Sequence, residues 1–265
     1  MLVVISPAKT LDFDRINETL PMTKPEFLKE ARILAKELKE YDNISLGKLM
    51  KISDKLATLN RERFQTWSET LDDARQCLIA FKGDVYRGMD VGSFTMEDFF
   101  YANDHLRILS GLYGVLRPFD GINQYRLEMG IKLKFDSYKN LYEYWGNKLI
   151  HNLAEQIREK GDNILVNLAS YEYFKSIENI EKLEGIKVIN PIFKEERNGQ
   201  YKIISLKAKR ARGLMTSYII KNKITSVDEL KKFKDEGYEF KEELSDDKDL
   251  VFIRENNYKY FEEKI

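Results

Sequence analysis

Two periodicities organise this chain. Short, partly β-branched apolar runs end in small or turn residues: "LVVIS" at 2–6 and "NILVNLA" at 163–169. Such runs fit central strands buried on both faces. "CLIAFKGDVY" (77–86) has the same character and predicts a third strand breaking at Gly83. "IKVINPIF" and "RNGQYKIISLKA" predict two strands joined at Asn198-Gly199, a pair suited to a type I′ turn. Apolar residues at three- and four-residue spacings predict helices over 25–40 and 46–70. A Thr95/Asp98 capping box opens a further helix expected to stop at Gly111, and 140–160 is a long amphipathic stretch ending at Gly161. Strands and helices follow one another without a repeating βαβ unit. The expected fold is therefore α+β (mixed α/β): one domain over residues 1–265, with a central mixed sheet and surrounding helices.

Composition narrows the class. At 265 residues and 43% hydrophobic content, the chain can bury a substantial core. It offers no apolar run long enough to span a bilayer, and its N-terminus has no basic lead or cleavage pattern. A cytosolic protein away from membranes is expected, and the single Cys77 agrees with a reducing compartment. The two histidines, His105 and His151, have no histidine or cysteine at ligand spacing, so no metal or other cofactor is expected.

Charge then changes the picture. The chain carries 44 basic and 44 acidic residues, yet residues 226–265 hold 13 acids and 8 bases, so the body before them is net basic. A solvated acidic C-terminal segment is the simple explanation. Within the body, "LKAKRARGLM" sets Lys207, Lys209, Arg210 and Arg212 within six positions without an acid. With the strand running through "YKIISLKA", Lys207 emerges on its open face and the other three cations crowd a helix start. That position beside the positive end of the helix dipole favours a bound anion.

Other polar residues gather where ligands collect in sheets with parallel strands, beyond the strands' carboxyl ends. "ISPAKT" offers Ser6, Lys9 and Thr10, and "NLASYEY" offers Asn167, Ser170 and Glu172. "FKGD" adds Lys82 and Asp84 around Gly83. If the two strands are parallel neighbours, these loops line one crevice. The stretch 46–67 can form a helix, a turn near Leu56–Asn60 and a second helix bearing Arg61 and Arg63, with Lys51 and Lys55 ahead of the turn. That order fits a helix-hairpin-helix, which grips phosphate with backbone N–H groups.

Eight segments, in order, carry a family likeness: "ISPAKTLDF", "ISDKLA", "AFKGDVYRG", "LSGLYGVLRPFD", "YRLEMGIKL", "NLASYEYFKS", "YKIISLKAKRARGLM" and "GYEF". The set resembles the YaaA family of bacterial peroxide-stress proteins from residue 1 to about 254. The resemblance implies a cytosolic mixed α/β protein with a basic cleft. It further implies DNA binding and a role in limiting damage by peroxide and free intracellular iron. No catalytic residue is implied. The family's helix-hairpin-helix corresponds to residues 46–67, with Thr58 where the family pattern has glycine.

The expected DNA contacts are thus Lys9, Lys51, Lys55, Arg61, Arg63, Lys82, Lys207, Lys209, Arg210 and Arg212, largely to the backbone. Ser6, Thr10, Asp84, Asn167, Ser170 and Glu172 complete the cleft. Two other classes stay open at this point: an enzyme of unknown reaction using the same cleft, and a protein-interaction module.

Overall fold

The first apolar run, Leu2–Ile5 (β1), is buried at every position and occupies the middle of an eight-stranded mixed sheet. The computed structural model describes residues 1–14 and 19–255. In chain order the other strands of this sheet are Leu106–Ser110 (β2), Gly114–Leu116 (β3), Ile164–Leu168 (β4), Lys187–Arg197 (β5), Gln200–Lys202 (β6), Tyr238–Phe240 (β7) and Asp249–Arg254 (β8). They lie in the order β7-β8-β5-β4-β1-β2-β3, with β6 paired to β5. The five strands from β8 to β2 are parallel, and the edges β7 and β3 are antiparallel. Register is set by apolar pairs such as Val3 opposite Leu106 and Leu2 opposite Leu165. Each such fully buried aliphatic side chain contributes roughly 1.5–3 kcal/mol.

The chain leaves β1 for β2 on one side and later fills β4 and β5 on the other. Strand order therefore reverses between β1 and β4, and a crevice opens beyond their carboxyl ends.

The helices are Leu28–Lys39 (α1), Asn43–Met50 (α2), Asp54–Thr66 (α3), Asp84–Met89 (α4), Met96–His105 (α5), Lys148–Glu159 (α6) and Ser205–Lys221 (α7), with several shorter turns between them. At Thr95 both halves of the capping box form with Asp98. Asn198 (φ 53°) and Gly199 (φ 74°) supply the two positive angles that a type I′ turn needs.

Four sequence expectations are corrected. The helix opened by Thr95 ends at His105, and "LRILS" is the fully buried strand β2. A strand covered on both faces shows no alternation, so its pattern merges with the preceding helix. "CLIAFKGDVY" is not a central strand. Cys77–Ala80 is a helical turn, Phe81–Lys82 pairs with Thr10–Leu11, and α4 starts at Asp84. The stretch 140–160 is broken at Gly146, whose φ is 47°. Finally, residues 226–255 are no solvated tail. They supply β7 and β8, and buried Arg254 of β8 pairs with buried Glu195 of β5 at 3.0 Å. Residues 256–265 of the acidic segment lie outside the described residues.

His105 ties the end of α5 to the chain start. Its Nδ1–H donates to the Met1 carbonyl at 2.9 Å, and its ring stacks on Tyr101 at 4.1 Å. Burial pushes the imidazole below its ordinary value, against the pull of the Met1 hydrogen bond. The unfolded chain therefore takes up a proton that the native protein resists. Stability is expected to fall as pH drops through the unfolded histidine value of about 6.5. Urea midpoints should be lower at pH 5.5 than at 7.5, and His105→Gln should remove part of that difference.

A candidate anion-binding cleft

Beyond the carboxyl ends of β1 and β4 the two strand-end loops touch. The Ser6 hydroxyl accepts from the Ser170 backbone N–H at 2.8 Å and donates to the Ser170 hydroxyl at 3.2 Å. The Tyr86 hydroxyl, from α4, donates to the Ser6 carbonyl at 3.1 Å. Three segments far apart in sequence thus converge on a cavity of about 420 Å³. Ser6, Lys9, Thr10, Lys82, Asp84, Ser170, Glu172, Lys209 and Arg212 all line it. Tyr86 and Tyr173 line it too, and burial pushes both phenols well above the ordinary tyrosine range. They are neutral at physiological pH and add no repulsion toward an anion.

Helix α7 forms one wall because its backbone lies almost on that of α4. A Cβ built on Gly213 would meet the Val85 carbonyl oxygen at 1.9 Å, and one on Gly88 would meet the Arg210 carbonyl oxygen at 2.2 Å. Only glycine at both crossing points permits this approach. It carries the next residue toward the chain start, Arg212, up against the mouth of the crevice.

The segment read as a strand through Lys207 is helical from Ser205 onward, and this divides the cation cluster. On a helix, residues three apart share a face while adjacent ones diverge by about 100°. Lys209 and Arg212 face the cleft. Arg210 instead pairs with Glu236 at 2.5 Å, and Lys207 does not line the cavity. The signal that separates them was in the sequence, as the i, i+3 spacing, once the helix start is placed correctly.

Most cations of the cleft have partners. Lys9 pairs with Glu128 at 3.3 Å, Lys82 with Asp12 at 3.3 Å, and Arg87 with Asp84. The side chains of Lys209 and Arg212 have no hydrogen bond or ion pair with any described residue. Burial pushes the Arg212 guanidinium below its ordinary value. A partly desolvated guanidinium without a counter-charge is costly unless an anion completes it. Five cations against two carboxylates line the cavity, so it is electropositive although the chain is neutral.

Asn167 lies outside this cavity. It borders an adjoining groove of about 600 Å³, in which Arg212 again takes part. Sequence reasoning missed the supporting pair Arg126 and Glu128. Glu128 is buried, accepts from Arg126 at 2.9 Å and forms an ion pair with Lys9. "YRLEMG" gives no local sign of this, because Lys9 comes from the other end of the chain.

The hairpin α2–α3 turns at Lys51–Ser53, not at Leu56–Asn60. Lys51 is left-handed at φ 53°, while Thr58 and Asn60 lie within α3, where Asn60 is buried and bonds the Leu56 carbonyl at 2.7 Å. Thr58 therefore needs no left-handed angle. Asp54 occupies the first turn of α3, the place a phosphate would take at that N-terminus. Lys51, Lys55 and Arg61 are exposed on the hairpin, away from the cleft lining. Arg63 is closer: burial pushes its guanidinium down, and the neighbouring charge of Arg126 adds to the effect. Arg63 donates to Gln124 at 3.1 Å, two residues before Arg126, and Arg126 shares Glu128 with Lys9 of the cleft. Among the described residues no three His, Cys, Asp or Glu side chains are grouped to hold a metal ion, and no helix is long and apolar enough to cross a membrane.

Known proteins similar to this chain match it along nearly its whole length. A family model described as peroxide stress protein YaaA matches residues 1–244. A UPF0246 protein of Clostridium botulinum is 66% identical over 257 residues, covering 97% of this chain and 100% of that protein. One of Clostridium beijerinckii is 67% identical over 255 residues, covering 96% and 98% respectively. A more distant one, of Saccharophagus degradans, is 52% identical over 256 residues, covering 96% and 99%.

Proposed function

Since the chain belongs to the peroxide stress protein YaaA family, we propose that it acts in peroxide stress by binding the backbone of DNA in the basic cleft. The observation that carries this reading is the pair Lys209 and Arg212, which face one cavity without a counter-charge among the described residues. Phosphodiester oxygens are the acceptors such a pair needs, and a guanidinium can take two of them at once. Lys9 and Arg126, held together on Glu128, mark the side on which a strand leaves the cleft. Lys82, which lines the same cavity, supplies a further contact. Backbone contacts position a nucleic acid without reading its sequence, so little sequence preference is expected.

This also gives a physical link to iron. Cationic side chains on phosphates displace condensed counterions from DNA. Ferrous ion is one such counterion. When it reduces peroxide it yields ferric ion, hydroxide and a hydroxyl radical, so displacing it moves the radical source off the strand. The direct test is a shift of labelled duplex in the mobility assay, weakening steeply between 50 and 200 mM salt. Absence of a shift at low salt would defeat the reading. Cleavage of the duplex after divalent metal is added would replace it with an enzymatic one.

A further inference from the structure

Arg212 is the one residue shared by the cleft and the groove beside it, so a ligand anchored there has access to both. The groove is built differently from the cleft. Three polar side chains on neighbouring parallel strands are linked across its floor. Asn167 of β4 donates to the Asn190 amide oxygen at 3.0 Å, and Asn190 of β5 donates to Asp249 Oδ1 of β8 at 2.9 Å. This leaves Asp249 Oδ2 and the remaining amide hydrogens for a ligand. Glu178 adds a further acceptor to the wall, while Glu181 is engaged by Lys248 at 3.3 Å and Lys182 adds a cation. Tyr171 stands at the rim with 71% of its surface exposed, next in sequence to Ser170 of the cleft.

An aromatic platform, amide and carboxylate groups that read hydrogen-bonding edges, and a phosphate-binding arginine between them are the parts of a nucleotide site. We propose that the groove receives the base of one unstacked nucleotide whose phosphate sits on Lys209 and Arg212. The phosphate placement rests on the backbone-binding reading given above. The base stacks on Tyr171 and sets its edge against Asp249 and Asn190. Because the wall is rich in acceptors, guanine fits it best: its N1–H and exocyclic amino group present adjacent donors to one carboxylate. Thymine would turn a carbonyl oxygen toward the same carboxylate and be repelled.

Calorimetric titration of the full chain with 5′-GMP, 5′-TMP and inorganic phosphate tests this. The expected result is that GMP binds about tenfold tighter than TMP or phosphate, the discrimination that a bidentate contact to the guanine edge supplies. With each variant shown by thermal melting to be folded, Asp249→Asn should bring GMP down to the TMP affinity, and Tyr171→Ala should bring both nucleotides down toward the affinity of phosphate. Equal binding of the three probes would overturn the base groove, as would a GMP preference that survives both variants. Duplex binding by the wild-type chain without a GMP preference removes the groove and leaves the backbone reading intact. A GMP preference in a chain that binds no duplex does the reverse.

Discussion

Alanine at both Lys209 and Arg212 is expected to weaken DNA binding about a hundredfold and to flatten its salt dependence by roughly 1.8 in the log–log slope. Each phosphate contact contributes a slope of about −0.9 on duplex DNA. A hydrogen bond to a charged group is worth about 1.5–3 kcal/mol, so two of them account for the loss in affinity. The instructive comparison is Lys207→Ala with Arg210→Ala, which removes the same formal charge from the same helix. That pair should leave the slope nearly unchanged, because Arg210 is engaged with Glu236 and Lys207 does not line the cleft. Glu236 is not stranded in that variant, since it also pairs with Arg254 at 3.5 Å. Fluorescence anisotropy of a labelled duplex from 50 to 200 mM salt reads both quantities. Because the stem of Arg212 packs as well as carrying charge, Arg212→Gln with Lys209→Ala is the milder control. If the folded Lys209/Arg212 variants kept the wild-type slope, the cleft would not be the DNA contact.

Gly213→Ala is expected to be the most damaging single methyl in the region around the cleft. Its Cβ would meet the Val85 carbonyl oxygen at 1.9 Å and the Met89 nitrogen at 2.7 Å, and both are backbone atoms. No rotamer change relieves a collision with backbone, so α7 must move away from α4 as a whole. Overpacking of this kind costs about 3 kcal/mol. In a domain of this size that corresponds to a drop in Tm of roughly 6–12 °C. Gly88→Ala should behave similarly through the Arg210 carbonyl oxygen at 2.2 Å. Gly92→Ala is the control, since its nearest neighbour would be 4.0 Å away and its φ is ordinary. Thermal melting followed by circular dichroism checks all three. A Gly213→Ala chain melting with the wild type would show that the two helices are not held as closely as described. Any surviving folded fraction should also bind DNA less well, because Arg212 moves with the helix.

Taken by itself, the sequence determined the elements whose information is local. β1 and β4 were legible because short apolar runs bounded by small or turn residues have few alternatives. The Asn198-Gly199 turn and the Thr95 cap were legible because their chemistry lies within four residues. The strand-end polar residues Ser6, Lys9, Ser170 and Glu172 could be singled out for the same reason, together with Lys82 and Asp84 around Gly83. Tertiary structure alone decided which of them meet, because paired residues of β1 and β4, such as Leu2 and Leu165, lie 163 positions apart and become neighbours only through sheet pairing. It also decided the fate of the cation cluster. Strand and helix readings of "YKIISLKAKR" differ in which side chains share a face, and the packing of α7 on α4 through Gly88 and Gly213 selects the helix and its orientation. Charge followed the same rule. Composition marked 226–265 as acidic, but only the fold could place Glu236 against Arg210 and Arg254, because the energy of an ion pair depends on distance in space and not along the chain. Lys209 and Arg212 are left facing the cleft for that reason: their helix turns them toward the crevice, while Glu236 meets Arg210 on another face.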